Sequence, residues 1–215
     1  MADETFIANL CLGRLKVGQV IADLDEESTP AQTCARFFDQ CRQEVLRAYP
    51  WGCSLRAEAL ALVAGETFPG WQYVYQYPSN CLMVRCVADE GGMRQYHSLL
   101  SSCRWDDAAA FNRRQPWKTA LKSDSSSQII LSDVPNAWAF LTDDLDNVVV
   151  FPADLASSLA WRLAMEVGGP LQADTASVDR AAQWYGASIS MAAAQSMNES
   201  KDDPIPDSPS IQCRM

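Results

Sequence analysis

From residue 29 to 51 the apolar positions Ala31, Cys34, Ala35, Phe38, Cys41, Val45, Leu46 and Tyr49 recur every three or four residues. Arg36, Asp39, Gln40, Arg42, Gln43, Glu44 and Arg47 fall mostly elsewhere around the same turns, which predicts an amphipathic helix with one face for burial. Thr29 and Gln32 have the spacing of a capping box, and Pro30 occupies the first helical position, where its missing N–H costs nothing. Pro50 ends the ladder and sends the chain out extended at Trp51. A second run, 152–168, opens on Pro152 and stops at Gly168-Gly169. Its apolar residues Leu155, Ala156, Leu159, Ala160, Trp161, Leu163, Ala164, Met165 and Val167 leave only the narrow stripe Ser158, Arg162, Glu166, so this helix is predicted to lie centrally. Weaker periodicity predicts helices over 3–16 (Phe6, Ile7, Leu10, Leu15) and 172–200 (Val178, Ala182, Tyr185, Ile189, Ala192). The last should pack on its predecessor as an antiparallel hairpin.

Between these helices the period falls to two. Leu55, Ala57, Ala59 and Ala61 alternate with other residues, and Trp71, Tyr73, Tyr75 and Tyr77 are expected on one strand face. Residues 81–88, 95–100, 128–131, 137–141 and 148–151 read as further strands divided by polar turns, with the rest of 93–127 loop-rich. The expected fold class is α+β: an antiparallel four-helix bundle from 1–50 plus 152–200, a β-rich insertion 51–151, and an extended C-terminal tail 201–215 bearing Pro204, Pro206 and Pro209.

Composition narrows the chemistry. A 215-residue chain that is 48% apolar and 20% charged reads as soluble and globular. The pattern offers neither a basic-then-apolar leader nor an apolar run of about 20 residues, so neither secretion nor a membrane span is expected. The eight cysteines are scattered through apolar patterns and read as reduced. A net charge of −10 opposes a grip on nucleic-acid phosphates. Acid pairs occur at Asp89-Glu90, Asp106-Asp107 and Asp143-Asp144, but glycoside hydrolysis needs two carboxyls held on either side of a bond at a set separation, so each pair reads as a solvated turn. His97 is the single histidine, Cys81 and Cys86 lack zinc spacing, and His97 with Cys103 has no orienting motif for a nucleophile. Residues 143–147 fail as an EF-hand because Leu145 takes a ligand position. No catalytic residue, cofactor or metal site is assigned. The aromatic strand is read as a packed sheet face, with an exposed ring platform for a sugar as the competing possibility.

Taken in order, Ala8-Asn9-Leu10, Leu12-Gly13, Val45 through Trp51, Trp71, Tyr73, Tyr75-Gln76-Tyr77-Pro78, Cys81-Leu82, Phe151-Pro152, Leu159-Ala160 and the Pro-Ser-Ile-Gln-Cys-Arg segment resemble the head-to-tail adaptor, or tail tubular protein A, of short-tailed bacteriophages over nearly the whole chain. The resemblance implies a non-enzymatic virion protein at the head–tail junction, assembled in the bacterial cytoplasm. It implies a ring of twelve copies whose partners are the portal protein above and the tail nozzle protein and fibres below, without membrane contact. Viral DNA passes through without sequence-specific binding. In this reading the tail docks on portal or a neighbouring copy, with Ile205, Ile211 and Met215 as apolar anchors and Arg214 as a charged one. The alternative is a small glycan-binding or glycan-cleaving tail protein.

Overall fold

The computed structural model describes residues 3–90 and 115–199. Four α-helices are found among them: α1 (Glu4–Arg14), α2 (Thr29–Ala48), α3 (Ala153–Val167) and α4 (Thr175–Asn198). The Asp3 carboxylate caps α1 by accepting from the Phe6 amide at 2.6 Å. The expected capping box at Thr29 does not form. Thr29 is already helical, Ser28 is the N-cap without a side-chain cap bond, and the Gln32 side chain donates to the Glu27 carbonyl at 3.4 Å. The other end follows the sequence: Tyr49 is extended (φ −146, ψ 153), and Trp51 is buried with its indole N–H donating to the Val45 carbonyl at 2.8 Å.

The expected four-helix bundle is not present. The sheets separate α2 from α3 along the chain, and α1, α2 and α4 each pack on α3, while α1 and α2 barely meet. The cause lies in α3, whose Leu155, Leu159, Ala160, Leu163, Ala164 and Val167 are all enclosed, so that it is surrounded by partners rather than contributing one face to a shared axis. Its polar stripe faces partners too. The Ser158 hydroxyl bonds the Ser188 hydroxyl at 2.8 Å, and Arg162 bridges Glu44 on α2 and Glu166 at 2.6 Å each. Ser158 meets Ser188, Trp161 meets Trp184, and Gly168 faces Val178, so α3 and α4 run antiparallel as expected.

Among the described residues six strands form two three-stranded antiparallel sheets: β1 (Leu55–Ala59), β6 (Trp138–Asp143) and β3 (Cys81–Ala88) in that order, and β2 (Tyr73–Gln76), β5 (Gln128–Ser132) and β4 (Trp117–Leu121). Tyr75 and Ile130 of the second sheet cluster with Val84, Val87 and Ala139 of the first, forming a dry layer between them. Strand β4 lies inside the stretch expected to be loop-rich; its Lys118 and Thr119 are exposed on an edge strand, which hides the alternation. The strand expected at 148–151 is instead a 3₁₀ turn, Val148–Val150, because the Asn147 side chain caps it by accepting from the Val149 amide at 3.2 Å. The strand expected at 95–100 lies outside the described residues. All six described cysteines are free thiols.

Candidate interaction surface on the fourth helix

Helix α4 carries only two charged residues, Asp179 and Arg180, in its 24 positions. Ser177, Ala181 and Ala192 are buried, and Val178, Tyr185, Ile189 and Ala193 pack against the core around α3. Ala182, expected on this face, is exposed. At helical spacing Arg180, Trp184, Ala187, Met191 and Asn198 share another strip. Trp184 is 53% and Met191 67% exposed, and Ala187 and Asn198 are exposed as well.

This strip borders a ledge of stacked groups. The Trp184 ring lies on Trp161 of α3 with centroids 6.3 Å apart and planes 17° from parallel. The Arg14 guanidinium sits over the Trp161 ring, 3.9 Å from its centroid, and is fixed by donating to the Ser157 carbonyl at 2.7 Å and the Ser157 hydroxyl at 2.6 Å. Burial lowers the Arg14 pKa to about 10, which leaves it charged at neutral pH. Neither Arg14 nor Arg180 has a carboxylate partner among the described residues. The result is a cation-flanked aromatic ledge continuous with a helix strip that carries no acid. Chemically it suits an extended peptide with flat or apolar groups and a few acids. Sequence periodicity could not reveal it, because Trp161 reads as core and Trp184 stands one position off the buried face; only the α3–α4 register brings the rings together.

The residues singled out for chemistry are dispersed. Asp143-Asp144 is not a solvated turn. Asp144 accepts from Arg42 at 2.6 Å and from Gln43 at 2.9 Å, Asp146 pairs with Arg42 at 2.8 Å, and Asp143 pairs with Arg56 at 3.1 Å. Asp89 and Glu90 are exposed. Asp106, Asp107, His97 and Cys103 lie outside the described residues, as do the docking residues Ile205, Ile211, Arg214 and Met215. Burial pushes the thiols of Cys41 and Cys86 up to about 12, and the hydrogen bond to Cys34, followed by burial, holds that of Cys11 far above its usual range. Among the described residues no group of three or more His, Cys, Asp or Glu side chains could hold a metal ion.

The four-ring strand face is also corrected. Strand β2 begins at Tyr73, and Trp71 joins Val74, Ile129 and Leu131 on the opposite side of the sheet. Tyr75 is wholly buried; its hydroxyl donates to the Val134 carbonyl at 2.6 Å and accepts from the Ala137 amide at 3.3 Å. Tyr73, Tyr75 and Tyr77 pack in the layer between the sheets and form no four-ring platform with Trp71. A separate cleft of about 320 Å³, lined by Asp3, Glu4, Thr5 and residues 146–149, is acidic, and burial with the nearby Asp39 raises the Glu4 pKa. The chain was compared with models of known protein families and with curated proteins, and it matches none of them.

Proposed function

We propose that this protein is a structural connector: a head-to-tail adaptor of a short-tailed phage, forming a ring beneath the portal, joining it to the nozzle, and surrounding the DNA path without reading sequence. The observation that supports this reading is spatial. Ala8, Leu12, Val45, Leu46, Trp51, Phe151, Leu159 and Ala160, far apart in the chain and all among the residues that carry the resemblance, belong to one core cluster around α3. A resemblance carried by scattered surface residues would have no such common cause. Asp143, Asp144 and Glu44 are paired with arginines that tie elements together, a use of acids that suits a structural part. A net charge of −10 also suits a channel wall along which a polyanion slides rather than sticks.

The test is assembly. Negative-stain images of the protein mixed with portal rings should show added density beneath the portal. Portal rings left bare, with the protein remaining in the supernatant after sedimentation, would overturn the proposal. Release of reducing sugars from host-surface glycan by the purified protein would favour the enzyme reading instead.

A further inference from the structure

We propose that copies of this chain join head to tail: the ledge of one copy, with Arg180, Trp184 and Met191, seats on an acidic, apolar knob of the next, formed by Glu4, Phe6 and Val149. This deepens the connector reading by naming the two surfaces that meet between neighbouring copies. It rests on that reading only for the closure of the contacts into a ring.

The ledge has the side chains that protein interfaces enrich. Tryptophan, methionine and arginine lead that enrichment, and Trp184 and Met191 each expose more than half of their surface. Arg14 and Arg180 beside them pair with no carboxylate among the described residues. Each has charge to offer to an incoming acid.

The matching surface lies at the other end of α1. Phe6, on its first turn, is 51% exposed, and Val149 and Val150 of the 3₁₀ turn are 41% and 49% exposed. Glu4 and Val149 line one cleft, so these apolar groups are bordered by acid. Glu4 forms no ion pair among the described residues, and Asp39, Asp25 and Asp146 act on it from nearby. Arg42, the cation that acts on it, is buried and already holds Asp39, Asp144 and Asp146. The knob therefore keeps a surplus of negative charge.

The two surfaces cannot meet within one molecule. Glu4 and Arg14 are ten residues apart on α1, roughly 15 Å along its axis, and Arg14 is fixed on Ser157. A contact between different surfaces on two copies leaves a ledge open at one end and a knob at the other, so it repeats, and it forms a ring where the rotation per step closes. Charge selects this pairing over others. In a chain of net charge −10 most approaches of one copy to another are repulsive, and a ledge bearing cations without acids is where an acidic neighbour is drawn in.

The experiment is sedimentation velocity of the full chain over a concentration series. The unaltered protein should associate as concentration rises. A knob variant, Glu4→Lys with Val149→Lys, and a ledge variant, Arg180→Glu with Met191→Glu, should each lose that association while melting like the unaltered chain, since all four side chains lie away from the core. Mixed in equal amounts, the two variants should associate again, through the intact ledge of one and the intact knob of the other. An unaltered chain that stays monomeric would overturn the proposal, as would a mixture that does. A knob variant that still associates as well as the unaltered chain would overturn it too, because the contact would then be ledge against ledge. Portal binding separates this result from the connector reading: bare portal rings would remove that reading and leave the head-to-tail contact standing, whereas decorated rings with a monomeric mixture would do the reverse.

Discussion

A guanidinium that is only 3% exposed must find an acceptor for its N–H groups or lose free energy, and Arg42 finds Asp144, Asp146, Asp39 and the Leu145 carbonyl. Asp144 is the closest of the carboxylates, at 2.6 Å, and it also accepts from Gln43. Asp144→Asn should therefore cost about 1–3 kcal/mol, read from a urea melt, since it weakens bonds to a buried charge. An unshifted midpoint would mean that Asp39 and Asp146 suffice. Gly168 is a second residue with a specific demand. A Cβ there would meet the Val178 methyl at 2.5 Å and the Ala164 carbonyl at 3.1 Å. Gly168→Ala should destabilise by about 1–3 kcal/mol as overpacking between α3 and α4. Adding Val178→Ala should recover much of the loss, and failure to recover would place the strain in the backbone.

At the scale of elements, the C-terminal turn of α2 is finished from outside. Arg85 on β3 donates to the carbonyls of Arg47 at 2.9 Å, Tyr49 at 3.1 Å and Leu46 at 3.4 Å, while its Nε is anchored on Thr142. Its charge complements the helix dipole, although burial lowers its pKa. Arg85→Met should speed amide exchange in the last turn of α2 and cost about 1–3 kcal/mol; unchanged exchange would show that solvent can replace the arginine. The turn between β4 and β5 should respond to acid. Hydrogen bonds from Lys122, then from the Ser126 hydroxyl and amide, hold the Asp124 carboxyl well below the usual range. An acid with a depressed folded pKa stabilises above its unfolded value and loses that contribution as pH falls through the folded one. The Ser126 amide shift should thus stay constant to below pH 4 and move only in stronger acid; a midpoint near the ordinary aspartate value would contradict it.

These elements also mark what periodicity could carry. The stop of α2 at Tyr49, the enclosure of α3 and the antiparallel α3–α4 pair follow from proline, from apolar coverage and from a short connection, all local in sequence. Periodicity counts helices and their faces but does not say which faces meet, so it predicts a bundle where the other three helices gather around α3. Strand β4 and the turn at 148–150 depart from the pattern because exposure on a sheet edge and a side-chain cap override propensity. The ledge and the Arg42 cluster escaped because each joins positions about 20 to more than 100 residues apart in sequence.

On the scale of the whole molecule, α3 holds the helical part together. Leu159 is fully enclosed and belongs to the cluster that includes Ile7, Cys34, Leu46 and Ala192. Leu159→Ala should cost about 2–5 kcal/mol; an unshifted thermal melt would mean that the surrounding helices close the gap. This arrangement also sets an order of birth during synthesis. Both sheets are complete in sequence once β6 has been made, whereas α2 must wait for a partner about 100 residues downstream and α1 for longer. At about 5–20 residues per second, that wait lasts roughly 5–20 s. Throughout it the apolar sides of α1 and α2, including Ile7, Leu12, Phe38 and Val45, have no α3 to cover them. The nascent chain should therefore crosslink to holding chaperones through its first two helices until α3 emerges, and a synonymous change that slows translation between β6 and α3 should lengthen that window without altering a single residue; equal crosslinking before and after α3 emerges would contradict it.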